Sequence, residues 1–213
     1  MLTHPSPSSA AIAPTPPRRI VGIVGSYHKH GVVDALVADV LAAAQAQGAE
    51  TQILYLQDYH IEFCSNCRTC VQSAEGDRGL CPIQDDMSPL LDILDQAQGL
   101  VIGAPVNFGN VNALTRRFLE RCIVYGYWPW GTLPKVRSQS QTKPAVLVSS
   151  SAAPALMARW LTGTLTALKD LAKMLGAKPI GVLWLGGVME RSTTIPDPVR
   201  RRAQRLGQKL AHP

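Results

Sequence analysis

The chain has 213 residues, 46% apolar and 17% charged, with a net charge of +6. That length suits one well-buried α/β domain and is short for two. No apolar run reaches the ~18 residues a bilayer span needs, and the basic residues lack the interleaved aromatics that stack on bases, so neither a membrane span nor nucleic acid is expected.

The first 17 residues hold five prolines and neither Lys nor Arg. They read as a disordered tail on residues 1–17, not a secretory signal, ahead of one domain over 18–211. Without such a signal the protein is expected in the cytoplasm, where thiols stay reduced and clustered cysteines serve metal or redox chemistry.

From Arg19 to Ser26 a short β-branched run predicts a fully buried strand. Leu36, Val37, Val40, Leu41 and Ala44 recur at helical steps between Asp34 and Gln47, and Gly48 ends that helix. Thr51 to Leu56 predicts a second strand. Asp85 or Asp86 would cap a helix reaching about Gln98. A third strand is expected over Gly99 to Ala104, then the loop Pro105 to Asn110, then a helix bearing Leu114, Phe118, Leu119, Cys122 and Ile123. Cys122 falls on its buried face as a small apolar residue. Tyr125 to Thr142 reads as a long loop with Trp128 and Trp130, and Pro144 to Ser149 as a fourth strand. Pro154 to Gly176 is mostly helix, Ile180 to Leu185 a fifth strand, and Asp197 to Leu210 a last helix. Five buried strands joined by helical connections predict a doubly covered parallel sheet.

In such a sheet, ligands bind beyond the carboxyl ends of the strands. After the first strand comes GSYHKHGVV, which is neither a Walker loop nor GxGxxG. It is a Ser-, His- and Gly-containing turn on a helix N-terminus, suited to a monophosphate or to nothing more than a basic turn. After the third strand, Pro105, Phe108, Gly109 and two asparagines offer a flat face and amide hydrogen bonds, as a flavin ring needs; Asn110 or Asn112 would equally serve as helix caps. Ser149, Ser150 and Ser151 after the fourth strand are small enough for close approach to a ligand.

Four of the five cysteines lie within 18 positions, as Cys64, Cys67, Cys70 and Cys81, with Pro82 behind the last. Three readings stay open: an iron–sulfur cluster, a zinc ion, or thiols that pack or exchange electrons without metal. His60 beside them reads as a packed or solvated side chain. Trp128 and Trp130 are expected either over a flavin or against a partner subunit.

Taken together, GSYHKHG, CSNCRTC…CPIQDDM and GAPVNFGNVNALTRRFLERC resemble the NADPH-dependent FMN reductase superfamily of flavodoxin-like proteins, and within it the iron–sulfur flavoproteins. The resemblance implies a five-stranded parallel sheet of order 2-1-3-4-5. It implies FMN phosphate on Ser26, His28, His30, Gly31, Val32 and Val33, and the flavin ring on Pro105, Val106, Asn107, Phe108 and Gly109, with Ser149 and Ser150 nearby. It also implies a [4Fe–4S] cluster on Cys64, Cys67, Cys70 and Cys81. Three positions depart from the pattern: Val33 where Ser or Thr is common, Asn107 where Tyr is common, and a ten-residue gap between Cys70 and Cys81 that is longer than usual.

The implied activity is hydride transfer from NAD(P)H to FMN and onward electron transfer to a quinone, a free flavin, another small molecule or a protein, in a homodimer or homotetramer. No catalytic acid or base is expected. A non-enzymatic electron carrier is the competing class, although carrier flavodoxins are typically acidic and this chain is basic. A thiol-based redox sensor without flavin is the third.

Overall fold

The computed structural model describes residues 16–137, 142–190 and 194–212. Most of the expected tail therefore lies outside the described residues. In chain order the elements are β1 (Arg19–Val24), α1 (Val32–Gln45), β2 (Glu50–Tyr55), α2 (Met87–Asp95), β3 (Gly99–Asn107), β4 (Asn110–Val111) and α3 (Ala113–Arg121). They continue with β5 (Gly126–Tyr127), β6 (Lys135–Val136), β7 (Lys143–Ser150), α4 (Ala155–Leu161), α5 (Thr164–Met174), β8 (Ala177–Leu185) and α6 (Asp197–Ala211).

The main sheet runs β2-β1-β3-β7-β8, every one of these pairs parallel, which is the expected 2-1-3-4-5 order of its five principal strands. Parallel strands need crossovers, and these put helices on both faces. Val33, Leu36, Val37 and Val40 of α1 share one core with Leu206 and Leu210 of α6; Leu90 and Leu91 of α2, Phe118 of α3 and Leu168 and Leu171 of α5 build the other. Two strand glycines let α1 lie close: a Cβ on Gly22 would sit 2.7 Å from Leu41 Cδ1, and one on Gly103 2.7 Å from Val37 Cγ2.

The structure corrects three expectations, each through a tertiary contact. The third strand does not end at Ala104. Pairing of Pro105 with Ser150 carries it to Asn107, where it folds back on β4 through Phe108 and Gly109, with φ of 46° and 73°. A two-residue hairpin requires such positive φ values, and glycine adopts them far more readily than phenylalanine. The helix expected over 154–176 splits at Thr162 and Gly163, and the Gly163 N–H donates to Gly109 O at 2.8 Å. The long aromatic loop contains the small β5–β6 ribbon, although its residues 138–141 lie outside the described residues.

Candidate flavin site and cysteine centre

Beyond β1 the chain turns through Gly25–Gly31 into α1. The Gly25 carbonyl accepts hydrogen bonds from Asn112 Nδ2 at 2.7 Å and Thr115 Oγ1 at 3.0 Å, so the start of α3 anchors this loop. A Cβ on Gly25 would overlap the Thr115 hydroxyl. Asn112 also caps α3, its Oδ1 accepting the Thr115 N–H at 2.9 Å. Ser26 Oγ accepts the His28 N–H at 3.1 Å, and His30, at φ 63°, donates its N–H to the Asp34 carboxylate at 2.6 Å. Asp34 is 4% exposed and also accepts the Tyr55 hydroxyl at 3.1 Å. Lys29 is drawn away to Asp58 at 2.6 Å and over the Tyr55 ring. No side chain caps α1 at Gly31. The first N–H groups of that helix therefore point, with its positive dipole end, toward whatever lies in front.

In front is a cavity of about 450 Å³. Ser26, His28, Lys29, His30, Gly31, Val32, Val33, Pro105, Asn107 and Ser150 line it, as do Tyr27, Val188 and Glu190, which the sequence reading did not single out. Val33 is buried against the sheet, with no side-chain hydroxyl to offer the cavity. Ser149 is fully buried with its hydroxyl on Ala104 O at 2.8 Å, tying β7 to β3, whereas Ser150 opens to the cavity. Val106 pairs with Val111, and Phe108 stands fully exposed at the hairpin tip beside Gly109. Val188 and Glu190 arrive through the Val188 N–H bond to Ser151 O at 3.0 Å; apart from the glycine pair Gly186–Gly187, no sequence pattern marks them. A cavity of ligand size, with unpaired donors at one end and a strand-derived wall at the other, fits a phosphorylated planar cofactor.

The cysteine turn lies on the α2–α3 side. Cys64 and Cys81 are half-buried, Cys67 is exposed and Cys70 is buried. Burial, followed by the influence of Cys81, Cys64 and Cys67, pushes the Cys70 thiol up to about 11. The Thr69 hydroxyl, 3.4 Å from Cys67 Sγ, holds that thiol below its ordinary value. Cys81 returns because Gly79 has no side chain: a Cβ there would overlap the Cys70 carbonyl. Among the described residues no three His, Cys, Asp or Glu side chains are gathered tightly enough for one metal ion.

Arg121 is the residue the sequence reading missed. It is 1% exposed, ion-paired with an equally buried Asp85, and it donates to Glu62 O at 2.8 Å and toward Cys81 Sγ at 3.6 Å. Its i, i+4, i+7 spacing with Leu114 and Phe118 was the available signal. Burial pushes the Asp85 carboxyl up, but bonds from Arg121 and from the Glu62 and Met87 N–H groups outweigh that and leave it lowered. Asp85 is thus both the expected helix-start acceptor and a buried counter-ion, while Asp86 accepts the His60 N–H at 2.7 Å. The His60 ring is exposed beside Glu62, and Cys122 is fully buried, both as expected. Trp128 and Trp130 flank Arg68 of the cysteine turn, a placement the sequence reading did not include.

A parallel sheet of this order, with an anion-ready loop at the β1/β3 switch in direction, defines a flavodoxin-like α/β protein. The chain belongs to the NADPH-dependent FMN reductase family, whose profile matches residues 18–188. An iron–sulfur flavoprotein of Archaeoglobus fulgidus is 26% identical over 193 residues, covering 91% of this chain and 79% of that one. One of Methanocaldococcus jannaschii is 33% identical over 103 residues, or 48% of this chain and 51% of that one. The match thus spans about half the length of the latter relative, as with several others. Among solved structures, an NAD(P)H:quinone oxidoreductase from Methanothermobacter marburgensis superposes with a TM-score of 0.66 at 14% identity, covering 91% of this chain and 99% of that one. An FMN-dependent NADH-azoreductase from Bacillus anthracis, in complex with FMN, gives 0.63 at 12% identity, covering 91% and 97%. These likenesses carry the fold.

Proposed function

We propose that this chain is an FMN-dependent NAD(P)H oxidoreductase that passes electrons to a quinone, a flavin or a comparable acceptor. The observation that carries the reading is the uncapped N-terminus of α1 opening into the cavity at the β1/β3 switch, in a chain of this family. The leading N–H groups of α1 and the Ser26 hydroxyl hold the phosphate, with His28 and His30 at the rim. Pro105, Asn107 and Ser150 form the wall against the ring, and Phe108 offers an apolar face at the mouth. Bound FMN supplies the two-electron chemistry. The protein's share is position and exclusion of water.

Cys64, Cys67, Cys70 and Cys81 are the residues that would hold a [4Fe–4S] cluster. The reading is supported by the spacing of these four cysteines within one short segment and by relatives named iron–sulfur flavoproteins. A homodimer or homotetramer is supported by α4, whose Leu156, Trp160 and Leu161 are 70%, 80% and 76% exposed beside the hairpin that Gly163 grips. No helix among the described residues is long and apolar enough to cross a membrane, and clustered free thiols support a cytoplasmic site of action.

The test is anaerobic purification followed by an absorption spectrum, iron and sulfide assays, and stopped-flow reduction by NADPH and NADH. Twin flavin maxima and saturable reduction are expected. A protein that stays colourless in excess FMN, with no heat of binding, refutes the reading. Flavin that binds without saturable reduction by either nucleotide points to an electron carrier.

A further inference from the structure

The turn that carries Cys64, Cys67 and Cys70 is built on an expensive backbone. Asn66 and Arg68 both hold positive φ, at 53° and 61°, a region that a long side chain such as Arg enters only when its surroundings compel it. The compelling contact comes from a distant part of the chain. The Arg68 guanidinium lies 3.7 Å from the centroid of the Trp128 ring and 4.0 Å from that of Trp130, within cation–π range of both. Its Nη2 donates to Trp128 O at 2.6 Å, while its Nε is buried without a partner, which the ring contacts must offset.

Gln72 closes the junction from the other side. Its amide donates to Arg68 O at 3.1 Å and Trp128 O at 3.3 Å, and its carbonyl accepts the Trp130 N–H at 3.3 Å. The Trp128 N–H donates to Val71 O at 2.8 Å, which fixes the arm to the residue after Cys70.

We propose that Arg68, gripped by Trp128 and Trp130, is a positioning residue that holds the Cys64–Cys70 turn in one shape before any metal arrives. A loop ordered only by ligation spends part of the binding free energy on its own ordering; a loop held by an aromatic clasp does not. The clasp is neither flavin site nor metal ligand, so it acts by shaping the turn, with Arg68 as its central contact. Lysine cannot replace it: an ammonium has no plane to lie between two rings while also reaching the Trp128 carbonyl. The proposal rests on the cluster reading only for what the turn is prepared to bind.

The experiment uses the full-length, metal-free, FMN-loaded protein and follows alkylation of each cysteine by mass spectrometry. In wild type, Cys70 reacts slowly because the turn must open first. Arg68→Ala is expected to speed Cys70 labelling by about tenfold, Arg68→Lys to recover less than half of the lost protection, and FMN affinity to stay unchanged. Reconstitution with iron and sulfide should then be slower and less complete in Arg68→Ala. Trp130→Leu removes one face of the clasp from a largely exposed position and decides the matter should Arg68→Ala fail to fold. Cys70 labelling within about twofold of wild type in the folded variants overturns the proposal. Wild type that takes up no iron, with Cys70 still unmasked by the variants, refutes the cluster and leaves the clasp standing.

Discussion

Asn112→Ala tests whether the start of α3 holds the phosphate loop. Asn112 is 2% exposed; it caps α3 and reaches across 87 residues to the Gly25 carbonyl. The substitution removes the cap, and because the cap is the bond from the buried Thr115 N–H, it leaves that donor without an acceptor at about 1–3 kcal/mol. Gly25 O keeps Thr115 Oγ1 at 3.0 Å, so no further orphan is counted. The expected loss is about 1–3 kcal/mol, which at an m-value near 2 kcal/mol/M lowers the urea midpoint by about 0.5–1.5 M. Because the anchored carbonyl belongs to the loop in front of α1, FMN affinity should fall by about tenfold, measured by calorimetry below the unfolding range. Asn112→Asp separates the two effects: it keeps the cap acceptor but sets a carboxylate against the Gly25 carbonyl, so affinity should fall more than stability. A midpoint shift under about 0.3 M with unchanged FMN affinity in Asn112→Ala refutes the coupling.

Asp85→Asn leaves Arg121 charged and buried, and should cost about 3–5 kcal/mol at pH 7 by urea unfolding. Since the folded-state carboxyl titrates below its unfolded value, the pair's contribution is whole above about pH 4 and drains as pH falls through the lowered value. The gap between wild type and variant must therefore narrow in acid. Phe108→Asn creates Asn-Gly, the preferred pair for a hairpin with two positive φ values, and should raise stability by about 0.5–1 kcal/mol while weakening FMN binding. In the metal-free protein at pH 8, iodoacetamide should label exposed Cys67 first, Cys70 late and Cys122 only on unfolding, because burial pushes the last two thiols up. Trp160→Glu should shift the sedimenting species toward monomer if α4 forms the subunit contact.

The sequence alone determined the strands, the helices between them and the four-cysteine set, while the strand order was implied by the family resemblance. Buried parallel strands are near-continuous apolar runs and their helices repeat every three to four residues, so both are written locally. Gly25, Ser26 and Gly31 were legible for the same reason, since a strand-to-helix turn is a local object. Tertiary structure decided what depends on distant partners. Ser149 and Ser150 point to opposite faces by strand geometry, but only the packed sheet shows which one opens to the cavity. Arg121 reads as a last-turn cation until Asp85, 36 residues earlier, is brought to it. Trp128 and Trp130 are merely aromatic until the chain folds them around Arg68. A hydrophobic pattern fixes which face of an element is buried, because burial is non-directional and sums along the chain; which polar or aromatic group answers another is directional, and is settled only when the faces meet.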